Sequence, residues 1–465
     1  MNNIVKIAAA AGLLALMPSQ ASAKVTLPAI FSDGMVLQQQ SSVALWGTTD
    51  RKGKAVEVKT SWNDSTYTVM PDAQGYWRLK VKTGNYGGPY TVSVSDGSPV
   101  TIDNVMLGEV WLCSGQSNMD MRVDGQYGDP VIGALEATVT SENPDIRMFT
   151  VGHKLISEPQ TDCKGQWEEA SPATVPEFSA AAYFFARKLN DVLHMPVGII
   201  HTSYGGSRVE AWMSAESVAP YQGVPEVHDE SILYNGMLAP ILGYGIKGCL
   251  WYQGEANVDA PDHYIKLLPA MVTDWRKRWD MGEFPFYYAQ IAPYNYNKGE
   301  GKGENSAYLR EAQLKCTGLI PSSGMIVLLD IGDPVSIHPM EKLTVGNRFA
   351  YLALSDTYGL EGFPSSGPVY KSAVTEDDKI IVTFDGVGKG LTSFHKPLTG
   401  FEVAGKDYVF HPADAYIGNG RQTVVVSSPE VPHPVAVRYG FKDYVDGSLF
   451  NFWGLPVSSF RSDNR

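Results

Sequence analysis

The sequence predicts an α/β protein: a doubly wound parallel sheet with helices on both faces, carried between two β-rich regions. Three observations predict it. From Val25 to about Val105 apolar residues follow a period of two, broken by turn residues. From about Asn104 short apolar runs alternate with amphipathic stretches. After Phe363-Pro364-Ser365-Ser366-Gly367-Pro368 the period of two returns. The boundaries that follow are 1–23 as a leader, 24–104 as an N-terminal β-sandwich region, 105–362 as the α/β domain and 363–465 as a C-terminal β-rich region. That last region either forms its own sandwich or completes the first.

Taken in order, Lys6, the apolar run Ile7–Met17 and Ala21-Ser22-Ala23 have the pattern of a cleaved signal peptide. The run is too short to span a bilayer. The chain is therefore expected to be exported, periplasmic or extracellular, with its mature start near Lys24. Strands are predicted at Val43–Gly47, Ala55–Val58, Tyr67–Val69, Trp77–Val81 and Tyr90–Val94. In the α/β domain they are predicted at Val110–Cys113, Ile146–Val151, Val197–His201, Ile246–Tyr252, Phe284–Ala292 and Met325–Leu329. Helices are predicted at Ala180–Leu193, His263–Arg278, Leu309–Lys315 and Lys342–Leu354. The closing β region carries Lys379–Phe384, Gly400–Val403, Thr423–Val426 and Val435–Tyr439.

The 465 residues are 44% hydrophobic and 19% charged, with a formal net charge of −13. An acidic balance argues against nucleic acid and anionic membranes as partners. Of the four cysteines, Cys113 and Cys249 fall in apolar strand-like runs and read as buried thiols; no pairing among the four follows from spacing. No cluster has metal-ligand spacing, so neither a metal nor a cofactor is expected.

The chemistry concentrates at predicted strand ends. Gly108–Cys113 runs into Ser114-Gly115-Gln116-Ser117-Asn118-Met119, a strand–turn–helix that sets Ser117 over the carboxyl edge of the sheet, where ligands of open α/β sheets bind. A serine there is either a helix N-cap or a nucleophile. Among nine histidines, His338 follows the last predicted strand of the domain and is the preferred base; His201 is its competitor. Tyr204-Gly205-Gly206-Ser207 offers backbone N–H groups to an oxyanion, and Gln253 in Trp251-Tyr252-Gln253-Gly254-Glu255 offers a side-chain amide. Arg208 and Asn235 are candidate substrate contacts, Arg208 for a carboxylate.

These blocks resemble the sialate O-acetylesterase family, a carbohydrate-esterase branch of the SGNH hydrolases. The residues that carry the likeness are Gly115-Gln116-Ser117-Asn118-Met119, Gly205-Gly206-Ser207 with Glu210-Ala211-Trp212, Leu233-Tyr234-Asn235-Gly236-Met237, Trp251-Tyr252-Gln253-Gly254-Glu255 and Ile337-His338-Pro339. The resemblance implies a flavodoxin-like SGNH hydrolase domain and metal-free removal of O-acetyl groups from sugars, acetylated sialic acid foremost. Ser117 matches the family nucleophile and His338 its base. The Ser117 N–H, a Gly205 or Gly206 N–H and the Gln253 side chain match the oxyanion hole. Related sequences carry an aspartate two residues before the histidine; here it is Ser336. Glu255, Asp333 and Asp330 are the candidates to orient the ring, and a serine–histidine dyad with Ser336 or a backbone carbonyl holding the ring is the other reading. An acetylxylan or other polysaccharide acetylesterase, or a glycan-binding protein on the same scaffold, are the alternatives.

Overall fold

A computed structural model of the chain describes residues 25–221, 230–296 and 305–464; the expected leader lies outside the described residues. At the centre is a parallel sheet. Its spatial order is Ser323–Ile326, Phe286–Ala289, Gly248–Tyr252, Pro99–Gly115, Val197–Ser203 and Asn143–Thr150, closed at one edge by the antiparallel strand Trp167–Ala170. Helices Ala180–Leu193 and Lys342–Asp356 cover one face, and Pro261–Trp279 and Asn305–Cys316 lie over the other. Both faces are covered, so from Val105 onward the central strand is wholly buried. Trp111 and Cys113 face one core while Val110 and Leu112 face the other.

The chain places its first parallel strand in the middle, with the strand at Val197–Ser203 on one side and that at Gly248–Tyr252 on the other. Connections diverge from this point, which opens a crevice at the carboxyl ends of these three strands. Ser117, Gly205 and Glu255 all emerge there.

The central strand is longer than the pattern of apolar residues suggests. Pro99–Gly115 pairs first with Gly87–Ser95 in the N-terminal β region and then continues into the parallel sheet, so one strand serves both. The C-terminal region packs its own core from Ile380, Val382, Phe401, Val424, Val437 and Tyr439. Two four-stranded antiparallel sheets surround it, and Leu329 joins it from the α/β domain. The four cysteines are free thiols; burial raises the pKa of each thiol, as for Cys316, pushed up to about 12.

Candidate active site

The turn that delivers Ser117 depends on Gly115. Its φ of +143° and a Cβ that would stand 2.1 Å from the Tyr252 carbonyl oxygen leave room for no side chain. Gln116, not Ser117, is the cap residue of the short helix Ser117–Asp120, so the Ser117 hydroxyl is not spent on capping. Instead it lies 2.9 Å from His338 Nε2. As the first helical residue, Ser117 also has an N–H with no acceptor inside the helix.

The carboxylate at the far side of the imidazole is Asp129, whose Oδ2 is 3.3 Å from His338 Nδ1. Asp129 comes from the loop after the helix Ser117–Asp120, where it exchanges backbone hydrogen bonds with Gln126. Ser336 donates to the same Oδ2 at 2.7 Å, and its oxygen accepts from the His338 N–H at 3.1 Å. The serine at position 336 thus holds the carboxylate that faces His338. Tyr127, two residues before Asp129, stacks on the imidazole with ring centroids 4.8 Å apart and donates to Asp120 Oδ2 at 2.9 Å. No strand precedes Asp129, so a search of strand ends passes over it. The available signal is the turn-rich Gly125-Gln126-Tyr127-Gly128-Asp129-Pro130 directly after the serine's helix.

The three carboxylates expected to orient the ring are occupied elsewhere, Asp330 by Arg348 at 2.6 and 2.7 Å. Glu255 is buried and accepts from Asn118 Nδ2 at 2.6 Å; burial raises its pKa. Asp333 accepts from the Val335 and Ser336 N–H groups and so shapes its own turn. Asn118 also donates to the Ile337 carbonyl at 3.0 Å and accepts from Lys342 Nζ at 2.5 Å. One asparagine thereby ties the Ser117–Asp120 helix, the Glu255 turn and the histidine loop together. Burial lowers the Lys342 pKa to about 7. Burial, then the nearby Lys342 charge, lowers that of His338 against the opposing pull of Asp129, which favours a neutral imidazole at neutral pH.

Gly205 and Gly206 line the cleft, and their N–H groups meet no backbone carbonyl among the described residues. A Cβ on Gly205 would stand 2.9 Å from the Tyr127 hydroxyl and 3.6 Å from Ser117 Cβ. Gln253 is fully buried behind this turn. Its amide nitrogen donates to the Ser207 carbonyl at 3.1 Å and to Asn257 Oδ1 at 2.7 Å, which props the glycine turn from beneath. Arg208 turns away to the Ala256 carbonyl at 2.8 Å and Asp259 at 2.9 Å. Asn235 donates to the Ser157 carbonyl at 2.7 Å. His201 is buried with Ser203 and Asp120, and burial drops its pKa to about 4. The resulting cleft, about 590 Å³, is lined by Ser117, His338, Asp120, Tyr127, His153 and Glu255 among others.

A family model described as carbohydrate esterase, sialic acid-specific acetylesterase, matches residues 107–355, more than half of the chain. The chain belongs to this family. It is a carboxylic ester hydrolase. It is 28% identical to a sialate O-acetylesterase of Homo sapiens over 383 residues, 73% of this chain and 72% of that one. It is 27% identical to one of Mus musculus over 409 residues, 72% of this chain and 74% of that one. The crystal structure of a carbohydrate acetylesterase from Xanthomonas citri superposes with a TM-score of 0.87 at 35% identity, covering 95% of this chain and all of that one.

Proposed function

We propose that this family member is an exported serine esterase that removes O-acetyl groups from carbohydrate, acetylated sialic acid first among its substrates. The observation that carries the mechanism is the line Ser117 Oγ–His338 Nε2–His338 Nδ1–Asp129, at 2.9 and 3.3 Å. His338 takes the Ser117 proton as the hydroxyl attacks the acetyl carbonyl. Asp129 fixes the tautomer and balances the imidazolium. The Ser117 N–H and the Gly205 and Gly206 N–H groups receive the oxyanion. His338 then protonates the departing sugar oxygen, and a water deprotonated by the same nitrogen releases acetate from Ser117. The sialate part of the reading is supported by the names of the relatives. Export is supported by the basic and apolar start of the chain and Ala21-Ser22-Ala23.

Ser117→Ala tests it. Losses on the order of 10⁶-fold in turnover follow removal of such a nucleophile. Aryl acetate hydrolysis is expected to vanish, with circular dichroism and melting unchanged. Undiminished turnover by a folded Ser117→Ala protein, or its labelling by a fluorophosphonate, would overturn the mechanism.

A further inference from the structure

The cleft at Ser117 does not end at His153. The same imidazole lines a second pocket, about 370 Å³, together with Lys154, Asp162, Cys163 and Lys164. The wall of this pocket is the connection 151–166 between two strands of the central sheet, which has no helix or strand of its own. Connections of that length in a compact domain are commonly functional.

Five hydrogen bonds hold this connection in shape. Gly152 N–H donates to the Lys164 carbonyl at 2.7 Å and Ile156 N–H to the Ile232 carbonyl at 3.3 Å. Gln160 N–H donates to the Asn235 carbonyl at 2.9 Å, and the Asn235 side chain returns a bond to Ser157 at 2.7 Å. Asp162 accepts from the Ala29 N–H at 2.8 Å, which fastens the loop to the N-terminal region. Asn235 therefore serves the pocket by bracing its wall.

The charges in this pocket do not cancel. Lys154 and Lys164 outnumber Asp162, whose carboxylate is held by the backbone N–H groups of Ala29 and Cys163, both at 2.8 Å. Lys154 donates only to the neutral amide of Gln160, at 2.8 Å. Among the described residues neither Lys154 nor Lys164 enters an ion pair. His153 faces Asp120 at 3.6 Å, and the hydrogen bond to Asp120 raises the pKa of the imidazole. An excess of positive charge thus borders a polar pocket that shares His153 with the Ser117 cleft, whereas Arg208 does not line that cleft and is ion-paired with Asp259.

Resting on the esterase reading above, we propose that this pocket binds the carboxylate of an acidic acetylated sugar through Lys154 and Lys164 while the acetyl group lies at Ser117. The site selects carboxylated acetyl sugars over neutral ones, and its attraction weakens with salt.

Acetate release is measured for wild type and Lys154→Ala/Lys164→Ala on an O-acetylated sialic acid, on the same sugar with its carboxylate blocked as a methyl ester, and on p-nitrophenyl acetate. Both lysines are surface positions whose backbone bonds survive the change. Loss of a charge-assisted contact is expected to raise KM for the free acid about tenfold or more. kcat and both uncharged substrates are expected to stay as they are. Arg208→Ala is expected to treat the acid and its methyl ester alike. Equal effects of the double substitution on acid and methyl ester, or a wild type indifferent to the carboxylate, would overturn the pocket assignment while leaving p-nitrophenyl acetate turnover intact. Failure of wild type on all three substrates would instead remove the esterase reading and the pocket with it.

Discussion

In the proposed mechanism, Asp129 and Ser336 divide between them what one aspartate usually does. The carboxylate comes from a separate loop, and the serine anchors it from the position two residues before His338. The 3.3 Å contact is long, and the Tyr127 ring stacked on the imidazole supplies additional fixation. Two substitutions are expected to move the pH–rate profile in opposite directions. Asp129→Asn removes the counter-charge of the imidazolium, so the acid limb moves to lower pH and kcat falls, by up to about 10⁴-fold if the tautomer is lost. Ser336→Asp adds a second carboxylate within hydrogen-bond range of the first. The like charges raise one carboxyl pKa, the added anion raises that of His338, and the acid limb moves to higher pH with lower turnover at neutrality. Steady-state kinetics between pH 4 and 9 read both. If Asp129→Asn leaves profile and turnover untouched, Asp129 is not the partner of His338. That Ser117 and His338 come together is legible in the sequence because each follows a strand of one parallel sheet. Asp129 escapes because its position depends on how a turn-rich loop folds back over the histidine, which no apolar periodicity encodes.

At the scale of elements, the site is an assembly of strand ends held in register by buried polar groups. The helix boundaries Ala180–Leu193 are legible because Ser179 caps the N-terminus, accepting from the Ala182 N–H, and His194 ends the helix in a left-handed conformation. The double service of Pro99–Gly115 is not, since its outer half alternates and its inner half is wholly buried, two patterns that read as separate elements. Between elements, Asn118, Glu255 and Lys342 join the Ser117–Asp120 helix, the Gly248–Tyr252 strand exit and the start of the helix Lys342–Asp356. Lys342 also lowers the His338 pKa. Lys342→Met keeps most of the side-chain volume and removes the charge. The imidazole then loses a cationic neighbour, its pKa rises, and the acid limb of the profile is expected to move to higher pH. Activity retained by the wild type just below neutrality is lost in the variant. A proton NMR titration of the His338 ring in a Ser117→Ala background checks the shift even where turnover is too low to follow. An unchanged titration would show that Lys342 acts only as packing.

On the scale of the whole molecule, the C-terminal sandwich is joined to the α/β domain by more than apolar contact. Arg310 is buried, and burial lowers its pKa to about 10. It donates to the Gly440 carbonyl at 3.0 Å, to the Lys442 carbonyl and to the hydroxyls of Ser306 and Ser459 at 3.2 Å. Gln290 meets Ser458 at 2.8 Å, and Arg461 grips Glu311 with two bonds of 3.0 Å. These contacts bear on the site because the sandwich touches the root of the histidine loop. Gly447 N–H bonds the Leu329 carbonyl at 3.2 Å, and the adjacent Asp330 is pinned by Arg348 at 2.6 and 2.7 Å. The sandwich therefore contacts the start of the loop that carries His338. Arg310→Met retains length and apolar volume but strands at least two buried carbonyls, each costing roughly 1–3 kcal/mol. The denaturation midpoint is expected to fall, protease to cut first between the domain and residues 363–465, and aryl acetate turnover to drop with the loosened loop. A variant whose C-terminal region becomes protease-sensitive while kcat and the pH profile stay at wild-type values would mean that the histidine loop stands without this support.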